Sequence, residues 1–488
     1  MLRSLLVLAA LAALCVPARA AASRHLAAPA QTAGATCLRA PAFEVLVPEC
    51  PAAAPLTGLH AVTVSPDGQD VYVPVTGDEE QRGGGVNVLG SALTPLGCVT
   101  DDAGAGWPGT EGSCDDGDAL RGTTSVAVSP DGRSVYAAAP YAHAIAWFDR
   151  AGDGRLTQRG CLDDLPRAGR CVHTGRLGAP NRIAVSPDGR NVYATDWARG
   201  ALLTFDRDDV TGALTFSGCL SASGADGACR QAGGLTGAYR LAVTSDAVFV
   251  LAFGQLWEAA GTTLTSFARS ARTGALEPVD CAAAGAAPGG RCLTPRAFDG
   301  ARSLAVAGGT VYVGRYAAEN SPTTVIHAFA RDGARLRYAG CLTPASEPLA
   351  GCAASAHLLE ARWLAASADG SVVVAAGGAR LVGFTRDPAT GALSDAWCAT
   401  EAFELARDPL FAGCAVVPGT YRADTVTVAP DGRSVYTTRT RGAVLATLRA
   451  GPAAAYFARR TGSPRAASRR AAAPRAASRD VPLHPRTR

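Results

Sequence analysis

Seven residues that open equivalent segments of the chain, His60, Thr124, Asn181, Tyr239, Arg302, Arg362 and Asp424, hold the side chains best suited to meet a ligand. Arg182 and Arg240 each stand one residue further on, so four consecutive segments contribute an arginine. A guanidinium presents a planar fork of donors that matches a carboxylate or a phosphate, and an arc of four could hold an anionic group. His60 and Asp424 are the nearby titratable pair. The candidate ligand-binding set is therefore His60, Asn181, Arg182, Tyr239, Arg240, Arg302, Arg362 and Asp424. The competing reading is that each arginine caps carbonyls or pairs with a loop acid. No catalytic set is assigned, because the sequence lacks Gly-x-Ser-x-Gly, His-Glu-x-x-His, phosphate-loop and dinucleotide fingerprints.

Fourteen of the 15 cysteines fall into local pairs: Cys37 and Cys50, Cys98 and Cys114, Cys161 and Cys171, Cys219 and Cys229, Cys281 and Cys292, Cys341 and Cys352, Cys398 and Cys414. One pair per segment selects local disulfides among the many possible connectivities. Zinc-type Cys-x-x-Cys spacing is absent, so no metal and no cofactor is expected. Asp101, Asp102, Glu111, Asp115, Asp116 and Asp118 gather around one Cys loop, but without a calcium-loop register they read as a solvated acidic turn.

The elements that position these residues repeat. Val62 opens VTVSPDGQDVYV, Val126 VAVSPDGRSVYA, Ile183 IAVSPDGRNVYA and Val426 VTVAPDGRSVYT, with degenerate copies at Leu241, Leu304 and Leu364. Pro presets the first central turn position and Gly takes the left-handed one, so each copy reads as a hairpin of two strands. A second hairpin follows in each unit, as in LLTFDRDDVTGALTFSGC from Leu202. The recurring Phe148, Phe205, Phe267, Phe329 and Phe384 in its first strand should pack between units. Four short strands seven times over define an all-β, seven-bladed β-propeller of four-stranded antiparallel blades. The last unit lacks a fourth strand of its own, while TAGATCL near the N-terminus resembles one, so an N-terminal strand from Gly34 to Leu38 should close the last blade. Crossover loops, with the disulfides, are expected to crowd the face around the tunnel mouth. The Ser-Pro-Asp-Gly face is read as structural.

Tandem SPDGR-x-VYV units resemble the YVTN-type and lactonase-like seven-bladed propeller families, over roughly Cys37 to Arg449. The resemblance implies the propeller fold and, for the lactonases and related cycloisomerases, His, Arg and Glu around the mouth. Leu59-His60-Ala61-Val62 is similar to a Pro-His segment of that family, and Ala179-Pro180-Asn181-Arg182 to its Gly-Pro-Arg-His. Here Asn181-Arg182 replaces Arg-His, no Pro precedes His60, and the Glu-Leu after the second strand has no counterpart.

The two ends differ from the body. Residues 1–20 have the apolar run and Ala18-Arg19-Ala20 site of a signal peptide, residues 21–33 form a linker, 34–450 the propeller, and 451–488 an Arg/Ala/Pro/Ser-rich tail expected to be disordered. Lysine is absent. Nine of the 46 arginines lie in the tail and two in the leader, against 41 of the 42 acids between, which leaves the body acidic by six although the whole chain is +4. No later stretch is long and apolar enough for a membrane span. These features describe a secreted or extracytoplasmic, disulfide-stapled monomer. It is expected to act as a binding or interaction module through its crossover-loop face, the alternative being a lactonase-like hydrolase or isomerase acting on a small anionic substrate. The expected partner is an anionic small molecule, a cell-surface polymer or a protein, without specific nucleic-acid binding.

Overall fold

The computed structural model describes residues 37–39, 50, 58–77, 84–101, 114–165, 171–224, 229–254, 261–285, 292–315, 323–401, 404, 411, 413–420, 422–432, 434–439 and 444–449. The leader, the linker and the basic tail lie outside them. The described residues form seven sheets, one per repeat. In blade 3 the strands are Pro180–Val185, Asn191–Asp196, Ala201–Arg207 and Leu214–Ser221, running antiparallel from the inside outward. The first strands pack on one another around the axis, so residues that begin them converge on one mouth.

Each Ser-Pro-Asp-Gly copy is a turn between first and second strands. Gly68, Gly132, Gly189 and Gly432 have φ between +61° and +73°, the left-handed conformation that favours glycine. Ser65, Ser129 and Ser186 donate to the turn Asp two residues on, closing each turn locally.

The core lies between neighbouring blades. Tyr72 of blade 1 packs with Val135, Ala137 and Phe148 of blade 2, and the five recurrent phenylalanines are fully buried. The second-strand tyrosine also reaches across: Tyr136 Oη donates to Gly212 O of blade 3 (2.8 Å) and Tyr193 Oη to Gly274 O of blade 4 (2.8 Å). A Cβ on Gly212 would lie 2.5 Å from Ser134 Oγ, which explains the small residue in that hairpin. In four blades an arginine at or near the end of the third strand reaches back to the turn Asp of the preceding blade, beside Tyr72, Tyr136 and Tyr193 in three of them and Phe249 in the fourth. The pairs are Arg150 with Asp67 (2.7 Å), Arg207 with Asp131 (3.0 Å), Arg269 with Asp188 (2.8 Å) and Arg331 with Asp246 (3.0 Å). The turn face is thus a staple between blades. Its arginines were not singled out from sequence, although Phe-x-Arg recurs in five of the seven units.

The N-terminal strand closes the ring. Cys37–Arg39 pairs antiparallel with Val444–Arg449, matching Cys37 to Ala446, Leu38 to Leu445 and Arg39 to Val444. Across the same junction Thr427 Oγ1 donates to Val62 O (2.7 Å) and Tyr436 Oη to Ser91 O (2.8 Å).

All seven local disulfides are present. The four antiparallel strands are present in each blade, and five blades add a short fifth strand. Asp115–Gly117, Cys171–His173, Arg230–Gln231, Ala353–Ser355 and Ala415–Val416 each run parallel to the fourth strand on its outer side. Cys161 and Cys171 are direct register partners, and Val99 pairs with Asp115 next to the Cys98–Cys114 bond. The bridges therefore fasten the outer edges of the blades instead of crowding the mouth. The crossover doubles back along the fourth strand before moving inward, covering an edge that would otherwise expose unpaired backbone.

Candidate functional site

At the start of the first strand in blades 3, 4 and 5 the ladder contains a bulge. Pairing passes from Pro180 to Arg182, from Ala238 to Arg240 and from Ala301 to Ser303, which makes Asn181, Tyr239 and Arg302 the extra residues. Bulges twist the strand and re-aim side chains. Here they let Arg182, Tyr239, Arg240 and Arg302, from three adjacent blades, approach one another.

The centre of the site is a stack of aromatic rings and guanidiniums. The Arg240 guanidinium carbon lies 3.6 Å from the ring centroid of Trp363 and 4.4 Å from that of Tyr239. Arg182 lies 5.0 Å from Tyr239 and 5.6 Å from Trp363, and Arg302 is 5.5 Å from Phe253, whose ring is 4.8 Å from that of Tyr239. Such contacts attract a cation to the ring face, but they leave the in-plane N–H donors for other partners. Arg182 Nη1 donates to Thr124 O (3.1 Å) and Asn181 O (2.8 Å), Arg182 Nη2 to Tyr239 Oη (3.4 Å), and Arg240 Nε to Arg302 O (2.8 Å). Arg182 Nε and Arg240 Nη1 have no hydrogen-bond partner, although each side chain is more than nine-tenths buried. Among the described residues, no carboxylate pairs with either guanidinium.

This concentration of positive charge perturbs every titratable neighbour. Burial, together with the like charges of Arg182 and Arg302, pushes Arg240 down to about 9 against the opposing pull of Tyr239. The Arg240 charge pulls the Tyr239 phenol down to about 8, burial opposing and Arg182 and Arg302 assisting. His60 is lowered to about 3 by burial first and then by Arg182 and Arg240. Burial and the two guanidiniums thus favour its neutral imidazole.

A pH dependence follows from His60. The unfolded chain takes up a proton near 6.5 and the folded one only near 3, so stability is complete above pH 6.5 and falls as pH drops toward 3. The slope from this group should be about 1 kcal/mol per pH unit, and His60→Gln should remove it. Denaturant titrations of both proteins between pH 4 and 7 test this, and identical slopes would assign the dependence to other groups.

The remaining sequence-selected residues are placed differently. Asn181 is buried, with Oδ1 accepting from Thr195 Oγ1 (2.8 Å), so its amide serves the blade. Arg362 is exposed and bonds the Glu360 carboxylate (2.5 Å), the capping alternative raised for these arginines. Asp424 is half-buried at the start of its strand, its N–H bonded to Thr438 O. Trp363 and Phe253 were missed. The signal for Trp363 was available, because it precedes Leu364 as Arg182 precedes Ile183 and Arg240 precedes Leu241.

Fold and site together define a seven-bladed β-propeller with a cationic, aromatic-lined mouth. Among solved structures, the chain is similar to the RRP9 WD40 repeats at 9% identity and TM-score 0.52, covering 87% of this chain and 99% of that one. It is also similar to U3-55K, at 9% identity and TM-score 0.51, covering 81% and 97%. The periplasmic gluconolactonase of Pseudomonas aeruginosa aligns at 19% identity and TM-score 0.43, covering 69% and 83%. No family model and no curated protein matches the chain. No described helix is long and apolar enough to cross a membrane.

Proposed function

We propose that the protein is an exported, disulfide-stapled binding module that captures an anionic group at the tunnel mouth through Arg182, Arg240 and Arg302. The observation that carries this reading is the pair of buried guanidiniums at Arg182 and Arg240, which carry unbonded N–H donors and lack a carboxylate. Two desolvated like charges cost several kcal/mol when left uncompensated, and a bound carboxylate or phosphate would offset that cost. Neighbouring acids elsewhere repel such a group, since the body is acidic by six, so the mouth is a local exception. Export agrees with the leader-like N-terminus and with seven disulfides, which persist in oxidising compartments.

Inorganic phosphate and galacturonate are expected to raise the melting temperature, and chloride at equal ionic strength to have a much smaller effect. Substituting Arg240→Met with Arg302→Met should weaken galacturonate binding by at least about tenfold, more than exposed ion pairs account for. Unchanged calorimetric titrations would overturn the reading.

Lactonase-like chemistry is the second reading, favoured by Tyr239, a phenol that three guanidiniums bring toward the neutral range. His60 is a weak base for such a reaction because its conjugate acid forms only near pH 3. If lactone opening occurs, it should therefore depend on Tyr239 and survive His60→Gln.

A further inference from the structure

The large hydrophobic side chains that stay exposed among the described residues are five: Tyr141, Val172, Trp197, Val210 and Val279. Three are valines outside the mouth. Val172 lies in an outer fifth strand, Val210 in the turn between third and fourth strands, and Val279 in a fourth strand. Both aromatics instead follow the second strands of adjacent blades, on the face where the first strands begin.

The register locates them. Asp196 pairs with Pro180, two residues before Arg182, and Trp197 is the next residue beyond it. Ala138 pairs with Ser125, and Tyr141 follows three residues later, with Ala142 N bonded to Arg121 O and Arg121 Nη2 bonded to Tyr141 O (3.0 Å). In blade 4, Phe253 holds the matching place, its N–H bonded to Gly237 O, and its ring is drawn inward onto Tyr239. Second strands lie one strand spacing outside first strands, about 4.8 Å further from the axis. Tyr141 and Trp197 thus follow second strands, outside the first strands that hold Arg182 and Arg240, with both rings exposed to solvent, whereas the Phe253 ring belongs to the centre. Arg182 links the starts of the first strands on either side of its own, because it bonds Thr124 O of blade 2 and Tyr239 Oη of blade 4.

The stacking at the centre limits what a ligand can do there. Arg240 already lies against both Trp363 and Tyr239, so a ligand meets the edges of the guanidiniums, which suits a charged group and not a ring. On this face Tyr141 and Trp197 are the exposed aromatics among the described residues, and they offer the rings of a ligand an apolar contact. A sugar ring offers such a contact, because its axial C–H face packs on an aromatic ring while its hydroxyls remain in water.

We infer that the ligand is an acidic oligosaccharide, with one carboxylate or phosphate seated at Arg182 and Arg240 and the adjoining sugar rings laid outward over Trp197 and Tyr141. This rests on the anion reading above and adds the polymer to it. A lone acid would use the centre only, whereas a chain several sugars long reaches the rim of blades 2 and 3.

The full-length protein should be titrated with galacturonate, with an oligogalacturonate of five or six sugars, with a neutral maltohexaose and with polyglutamate. The oligogalacturonate is expected to bind at least about 30-fold more tightly than the monomer, and more tightly than either control. Trp197→Ala and Tyr141→Ala should each cost the oligomer about tenfold while leaving galacturonate and phosphate affinity unchanged. Arg240→Met should weaken both. Equal affinity for monomer and oligomer, equal binding of polyglutamate or maltohexaose, or an unchanged oligomer affinity in Trp197→Ala would overturn the oligosaccharide and leave the small-anion site standing. If galacturonate and phosphate also fail to bind, the anion reading itself is lost.

Discussion

A chain beginning at Pro51 is expected to unfold with a free energy lower than that of the parent by about 5 kcal/mol, the largest change anticipated here. Two contributions of similar size add up. Leu38 is nine-tenths buried in a cluster with Leu59, Val62, Val71, Tyr436 and Leu445, residues of the first and last blades, and its loss removes about 2 to 3 kcal/mol. The Cys37–Cys50 bridge closes a 13-residue separation and contributes on the order of 3 kcal/mol in the chain-entropy view. The double variant Cys37→Ala, Cys50→Ala separates the two, since it keeps the strand and should lose about half as much. Truncation also bares the backbone of Val444–Arg449, so the shortened protein should associate at high concentration. Denaturant midpoints for the three proteins decide the matter, and a truncated chain as stable as its parent would show that the ring does not depend on this strand.

Arg207→Met should cost about 3 kcal/mol, because it breaks a buried staple between blades 2 and 3 and removes the donor from four acceptors. The Arg207 side chain is 2% exposed and donates to Tyr136 Oη (2.7 Å), Gly189 O (3.1 Å), Ser134 Oγ (3.1 Å) and Asp131 Oδ2 (3.0 Å). Methionine preserves the stem and removes every donor. Arg133 supplies the control, since it also faces Asp131, at 3.6 Å, but is 70% exposed, and Arg133→Met should change stability by less than about 0.5 kcal/mol. Burial works against ionisation of Asp131, yet hydrogen bonds from Ser129, from Arg133 N–H and from Arg207 hold its carboxyl below the usual range. The folded pKa is therefore depressed, and this contribution is present above about pH 4 and lost as the carboxyl protonates in acid. The difference in stability between parent and Arg207→Met should accordingly narrow below that range, the bonds to Tyr136, Gly189 and Ser134 keeping the rest of it. Equal losses for Arg207→Met and Arg133→Met would remove the staple as an explanation.

The propeller is legible in one dimension because its determinants are local. Ser-Pro-Asp-Gly closes a turn with its own Ser and Asp, apolar alternation sets which face of each strand is buried, and both recur at a regular interval. Disulfide pairing is legible for the same reason, since partners lie 10 to 16 residues apart. Even ring closure could be read, because an orphan fourth strand at one end matches a missing one at the other. Where these bonds sit could not be read: the fifth strands move the bridges to the outer edge, and a crossover's path depends on the neighbours it must cover. The site divides along the same line. Sequence placed Arg182, Tyr239, Arg240 and Arg302 at equivalent starts of first strands, yet it gave Arg362 and Asn181 equal standing. Only the tertiary structure separated them, through Glu360 at one and Thr195 at the other. Trp363 entered the site by the same route, since a stack of rings and guanidiniums forms between blades some 60 to 180 residues apart in sequence. A repeat specifies its own turns and strands, while the charge and solvent around a side chain at the axis are set by the other six blades.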